Sequence, residues 1–133
     1  MKLSGFQFRN PVMTKSIFKL NSGFQQKEHE EVEMPVQINA HRNSSGDDTS
    51  AYVEVEVVVG EESDQLPFYV AVSYGADFKW LSDDFDEKKV EYLLSQNAPA
   101  LLLGYARVAI SMITNFSPYP AYNLPFIDLT KGI

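Results

Sequence analysis

Asn97–Asp128, NAPALLLGYARVAISMITNFSPYPAYNLPFID, is the stretch whose reading decides the fold. Arg107 is the only charged side chain between Tyr92 and Ile127. Leu101, Leu102, Tyr105, Val108, Ala109, Met112, Ile113 and Phe116 recur at i, i+1, i+4, i+7, i+8, i+11, i+12 and i+15, one stripe at helical period. Asn97 suits an N-cap, and Pro99 suits a first turn, where a missing N–H is harmless. Ala100, Gly104, Arg107, Ser111 and Thr114 form the opposite face, which is small and nearly uncharged where a surface helix carries Lys and Glu. The pattern predicts a helix over 98–115 covered on both sides, with Gly104, Arg107 and Ser111 facing a second subunit. Past Phe116, Pro118, Pro120 and Pro125 rule out helix, and the aromatics are too apolar for free solvation. This segment is expected to lie in a groove or over a core edge.

Upstream, the period changes from helical to alternating. Residues 4–20 read as a first strand broken at Asn10-Pro11, since proline cannot donate to a ladder and belongs at a bulge or edge. Residues 32–41 alternate, with Val32, Met34, Val36, Ile38 and Ala40 on one face. Residues 51–59 are the clearest strand: Val53, Val55, Val57 and Val59 point inward and Tyr52, Glu54 and Glu56 outward. Residues 66–74 form a fourth, with Phe68, Val70, Val72 and Tyr74 together, and Gly75–Phe85 reads as a transition. Short connections imply an antiparallel meander with one apolar face. A helix over 85–95, capped by Asp83 or Asp84, precedes the main one and is separated from it at Asn97-Ala98-Pro99. The fold class is therefore α+β: a four-stranded antiparallel sheet with two C-terminal helices packed on one face, in a single domain spanning 1–133.

Composition narrows the function. There is no cysteine, hence no disulfide and no thiolate metal site. The N-terminus lacks the apolar core of a signal peptide, and no run reaches the roughly 20 apolar residues of a membrane span; a cytoplasmic location is expected. Residues 1–27 carry five basic side chains and no acid, while the remainder carries six basic against eighteen acidic ones. An acidic body repels phosphate backbones, so nucleic acid is not an expected partner. His29 and His41 are isolated, and no nucleophile elbow, P-loop or dinucleotide fingerprint occurs. The acidic groups Glu28–Glu33 and Asp83–Glu87 lack calcium-loop spacing, and the second reads as a helix cap. No enzyme activity, cofactor or metal is expected.

The aromatics are the stronger signal. Phe6, Phe8 and Phe24 come early, and Tyr119, Tyr122 and Phe126 late. Together they suit a groove that takes apolar side chains without demanding one sequence, because burial is non-directional. An exposed edge strand could add backbone hydrogen bonds to an extended peptide.

The segment NAPALLLGYARVAISMITNF, followed by Pro118, Pro120 and Asn123-Leu124-Pro125, resembles the end of the SecB protein-export chaperones. The specific matches are Tyr105-Ala106-Arg107, Phe116, Pro118 and Asn123-Leu124-Pro125, about 30 residues in a resemblance that spans most of the chain as a distant, short branch. The resemblance implies a cytoplasmic holdase for unfolded polypeptide, non-catalytic, assembled as a tetramer or dimer with the long helices between sheets. It implies that Arg107, if buried, meets a carboxylate or carbonyl. Two departures stand out. The family's C-terminal helix has no counterpart before Ile133, which bears on client binding. Lys15, Lys19 and Ala71 align where the family's SecA-docking sheet face is acidic, which argues against SecA as a partner. A dedicated partner protein, as in SecB-like chaperones of toxin–antitoxin pairs, and a small-ligand carrier or enzyme are the alternative readings.

Overall fold

The computed structural model describes residues 1–25, 31–44 and 47–131. Four strands, β1 (Phe6–Leu20), β2 (Val36–Ser44), β3 (Ser50–Gly60) and β4 (Phe68–Trp80), precede a helical stretch. That stretch runs through α1 (Glu87–Tyr92), a π-helical turn (Leu93–Asn97) and α2 (Ala98–Asn115) without a break. All strand pairings are antiparallel, in the order β1-β4-β3-β2. The expected α+β architecture is present, with two changes of arrangement.

The first is that only β2, β3 and β4 form a meander, and β1 pairs with β4 instead of β2. Matching side chains account for this. β1 sets Phe6, Phe8 and Phe18 against Trp80, Phe78 and Val70, with Phe6–Phe78 centroids 5.5 Å apart and Phe18–Phe68 5.7 Å. β2 instead sets small aliphatics, Val36, Ile38 and Ala40, against Val59, Val57 and Val55. Cross-strand pairs of this kind stabilise the chosen neighbour. β1 is broken where expected. Asn10 has φ 56°, and the register slips between Arg9 and Val12 and again between Met13 and Lys15.

The second is that the two expected helices are one. Asn97 is helical and makes no side-chain cap. Pro99 has no N–H and its ring would collide with the preceding turn of an α-helix. The chain accommodates it by widening that turn, so that Ala98 N–H bonds to the Leu93 carbonyl, five residues back. The N-cap falls at Asp86, not Asp83 or Asp84: its carboxylate accepts from Lys89 N–H at 2.8 Å. β4 also runs past its expected end, because Ala76, Phe78 and Trp80 continue the buried alternation. Gly75 does not break it. A Cβ there would lie 1.9 Å from the Tyr52 hydroxyl, so glycine makes room for that ring.

The core lies between the sheet and α2. Val53, Val55, Val57, Val70, Val72 and Phe78 meet Leu102, Leu103, Ala106, Ala109 and Ile110. On the outer face, Ala71 and Ser73 of β4 are buried although that face carries charge. Lys15 of β1 reaches across β4 to Glu56 of β3 at 2.5 Å, and Lys19 reaches Glu62 at 3.0 Å. Small residues on the middle strand let these ion pairs close over them.

Candidate functional site

α2 is apolar on two faces. Its core face is Leu102, Leu103, Ala106, Ala109 and Ile110, offset from the stripe that the period alone suggests. Tyr105, Val108, Met112 and Phe116 of that stripe are exposed, Met112 at 61% and Phe116 at 88%. With Met13 of β1 and Tyr74 of β4 they border an apolar groove of about 730 Å³. Gly104 lies on its margin, and a Cβ there would meet nothing within 4 Å among the described residues.

Residues 117–128 form a strap that runs back along α2, antiparallel to it, on the side where Arg107, Ser111 and Thr114 lie. Each helix residue meets a strap residue in reverse order. Thr114 Oγ1 accepts from Tyr122 N–H at 2.7 Å and donates to the Ile110 carbonyl. Ser111 Oγ lies 3.3 Å from Asn123 Oδ1. Arg107 donates to the carbonyls of Leu124 and Pro125, at 3.0 and 3.1 Å, with its guanidinium 5.7 Å from the Phe126 ring centre. The expected carbonyl partner of Arg107 is therefore in its own chain. Leu124 and Leu129 are buried at the end of this path.

The strap builds a second cavity, of about 460 Å³, with Tyr119 and Tyr122 on one side and Phe24, Met34 and Phe68 on the other. The rings of Phe24 and Tyr119 meet edge-on at 6.0 Å. Burial raises the Tyr122 pKa above the usual tyrosine value, so its phenol stays neutral there.

Of the six residues expected to form one groove, the structure brings three together: Phe24, Tyr119 and Tyr122. Phe6 and Phe8 pair with Trp80 and Phe78, at the far end of β1 from Leu20 and Phe68. That separation is roughly 40 Å along a strand. Phe6 stacks on Phe78 and Trp80 as part of the core edge. Phe126 is 98% exposed and touches Arg107. Of the expected subunit contacts, Arg107 and Ser111 hold the strap, and Gly104 faces the open groove. Met34, Phe68 and Val32 complete the strap cavity and were legible only as strand residues.

A third cavity, of about 300 Å³, lies between the end of β2 and the π-helical turn, bordered by Ala40, Arg42, Leu94, Gln96 and Leu129. Arg42 pairs there with Glu91 at 2.5 Å. His41 points to the opposite face of the sheet, where it meets Glu54 at 3.1 Å. His29, Glu28 and Glu30 lie outside the described residues. Among the described residues no three His, Cys, Asp or Glu side chains group as a metal site, and no helix is long and apolar enough to cross a membrane.

A search of curated protein sequences gives no match. Among solved structures, the fold superimposes at TM-score 0.72 on the Mycobacterium tuberculosis SecB-like chaperone Rv1957, in complex with a ChAD peptide from the HigA1 antitoxin. Identity is 12%, over 92% of this chain and 90% of that one. A Streptococcus agalactiae protein of unknown function aligns at TM-score 0.49 with 12% identity, covering 94% of this chain and 100% of that one. The SecB family profile, described as Preprotein translocase subunit SecB, matches residues 15–131, the fold and the strap alike, and the chain belongs to this family.

Proposed function

We propose that this SecB-family protein has a chaperone-type role: it binds unfolded or extended polypeptide in the cytoplasm without catalysis, burying client side chains in the strap cavity. The observation that carries the reading is the convergence of Phe24, Met34, Phe68, Tyr119 and Tyr122 on one aromatic cavity, built from segments far apart in sequence. Aromatic walls give apolar side chains non-directional burial, which suits many sequences. Phe6, Phe8 and Phe126 are left out of this groove, and no cofactor enters the reading. The exposed face of α2 sets Tyr105, Val108, Met112 and Phe116 side by side in water around an apolar groove, the kind of contiguous apolar surface that marks an interaction site. We assign it to self-association into a dimer or tetramer, with Gly104 at the contact. Lys15 and Lys19 neutralise Glu56 and Glu62 on the outer sheet face, so an acidic dock for SecA is not part of the reading.

The test is affinity for a permanently unfolded client, read by fluorescence anisotropy, with light scattering for mass. Tyr119→Ser with Tyr122→Ser is expected to weaken client binding about tenfold or more, at the scale of two lost aromatic contacts. Unchanged affinity would remove the strap cavity from the site. The solved SecB-like neighbour that holds an antitoxin peptide favours a second reading, a dedicated partner protein. One tight partner in a pull-down, with no affinity for the generic client, would select it.

A further inference from the structure

Several walls of the strap cavity stand on segments that have no ladder of their own. Phe24 lies past the end of β1, Pro67 lies in the connection from β3 to β4, and Tyr119 lies on the strap. Side chains on such segments keep a fixed place only where something holds their backbone. Two polar residues do this, one for each side of the cavity, and neither borders it.

Asn21 holds the first side. It directly follows Leu20, whose pairing with Phe68 ends the β1–β4 ladder. Its Nδ2 donates to the Glu61 carbonyl at 2.6 Å and to the Leu66 carbonyl at 3.0 Å. Its backbone N–H donates to the Pro67 carbonyl at 3.0 Å, and its own carbonyl accepts from Phe24 N–H at 3.0 Å. One residue thereby fixes the β3–β4 connection and closes the turn that presents Phe24. Ser117 holds the second side. Its hydroxyl donates to the Thr114 carbonyl at 2.6 Å, with a longer contact to that of Tyr119 at 3.3 Å, and accepts from Tyr119 N–H at 3.1 Å. Its N–H reaches the same Thr114 carbonyl at 3.0 Å. Pro118 and Pro120 flank Tyr119; each fixes its own φ and disfavours helical backbone in the residue before it. The rings so held meet: Phe24 and Tyr119 edge-on at 6.0 Å, and Phe68 and Tyr119 at 6.4 Å.

We propose that Asn21 and Ser117 are positioning residues for polypeptide binding: touching no client, they hold Phe24 and Tyr119 in the arrangement that receives a client side chain, so the cavity is set before the client arrives. A wall ring free to wander must be ordered by the client, and that ordering is subtracted from the affinity. Where only a fraction of the molecules has the wall in place, the apparent affinity falls in proportion to that fraction. It falls by one factor for every client, because the contacts inside the assembled cavity are unchanged. A residue that touches the client behaves differently, since its loss weighs most on the side chain it meets. This inference rests on the polypeptide-binding reading of the cavity and adds to it two residues, outside the cavity, on which its shape depends.

The test measures the affinity of the full chain for fluorescein-labelled unfolded peptides that are alike except for a central Trp, Phe or Leu, read by anisotropy well below the thermal midpoint. Asn21→Asp keeps the shape of the side chain but replaces both N–H donors by an oxygen that faces two carbonyls. Ser117→Ala removes the hydroxyl. Each is expected to weaken all the peptides by one common factor of about ten, the scale of a lost pair of hydrogen bonds. Hydrogen exchange should quicken at the Phe24 amide in the first variant and at the Tyr119 amide in the second. Ser117→Thr keeps the hydroxyl and is expected to restore both affinity and exchange. Phe24→Ala removes a wall and is expected to change the ratio between the Trp and Leu peptides. The Ser117 series decides the matter if Asn21→Asp folds poorly. Unchanged affinities, with or without faster exchange, would overturn the positioning role, and so would a loss that varies with the peptide as it does in Phe24→Ala. In either case Tyr119→Ser with Tyr122→Ser still weakening binding would leave the cavity reading standing. Absence of binding by the wild type would overturn both.

Discussion

Thr114 is the residue on which the strap hangs. It is fully buried, yet it is polar, and its hydroxyl works in both directions: it donates to the Ile110 carbonyl, with a longer contact to that of Ser111, and accepts from the Tyr122 N–H. The first bond returns the proton to the helix backbone, a common fate for threonine in a helix. The second bond ties a non-helical backbone to α2. Thr114→Val keeps the shape and removes the acceptor, leaving the Tyr122 N–H without a partner. The expected cost is about 1–3 kcal/mol in urea denaturation, with faster hydrogen exchange at the Tyr122 amide. Thr114→Ser restores the acceptor and should restore that amide's protection, even though the lost methyl itself costs about 1 kcal/mol. Equal exchange in wild type and the valine variant would show that the bond does not hold the strap.

At the scale of elements, the strap has no ladder of its own. It is held by side chains of α2 reaching its backbone, with Leu124 and Leu129 as apolar anchors. Arg107 does most along the middle of the path, because its planar fork spans two successive carbonyls. Arg107→Lys supplies charge without the fork, so it is expected to behave like Arg107→Met and not like wild type. Both should raise local opening of residues 124–128 about tenfold, measured by hydrogen exchange, at the low end of the 1.5–3 kcal/mol typical of bonds to a charged group because Pro125 is exposed. Protection in the lysine variant equal to wild type would mean that the bidentate geometry is irrelevant. The bounds of α2 were readable from its period, but its core face was not. Leu102 and Ala109 belong to both apolar faces, so the period is satisfied by a stripe through Tyr105, Val108 and Met112 that is largely exposed. Likewise Pro99 signalled a helix start by its type, whereas one π-helical turn let the helix pass through it.

For the whole molecule, the four strands and their inward valines were legible because alternation is local. The neighbour of β1 was not, since pairing depends on which aromatic rings meet across strands. The strap cavity was half legible for the same reason: Phe24, Tyr119 and Tyr122 stand out by type, while Met34 and Phe68 join them only through topology. Topology also sets the pH range of the fold. Lys15 holds its proton more tightly than usual, chiefly through its hydrogen bond to Glu56, which lies two strands away. Tyr52 and Tyr122 do so because burial disfavours the phenolate. In each case the folded pKa is raised. The stabilisation is complete below the unfolded values, about 10 to 10.4, and is lost as pH climbs through the folded ones. Asp47 has the opposite sign. The Thr49 N–H, then the Ser50 hydroxyl, lower its pKa, so its contribution is present above the usual aspartate value and is lost as pH falls through the folded one. The thermal midpoint is therefore expected to be flat between about pH 5 and 9 and to drop on the alkaline side. Growing negative charge would also lower it there, and Tyr122→Phe separates the two causes. It removes one ionisable phenol whose proton the fold protects and should reduce the alkaline drop while leaving the midpoint near neutrality almost unchanged. An alkaline drop identical in the phenylalanine variant would assign the loss to charge repulsion and not to the buried phenol.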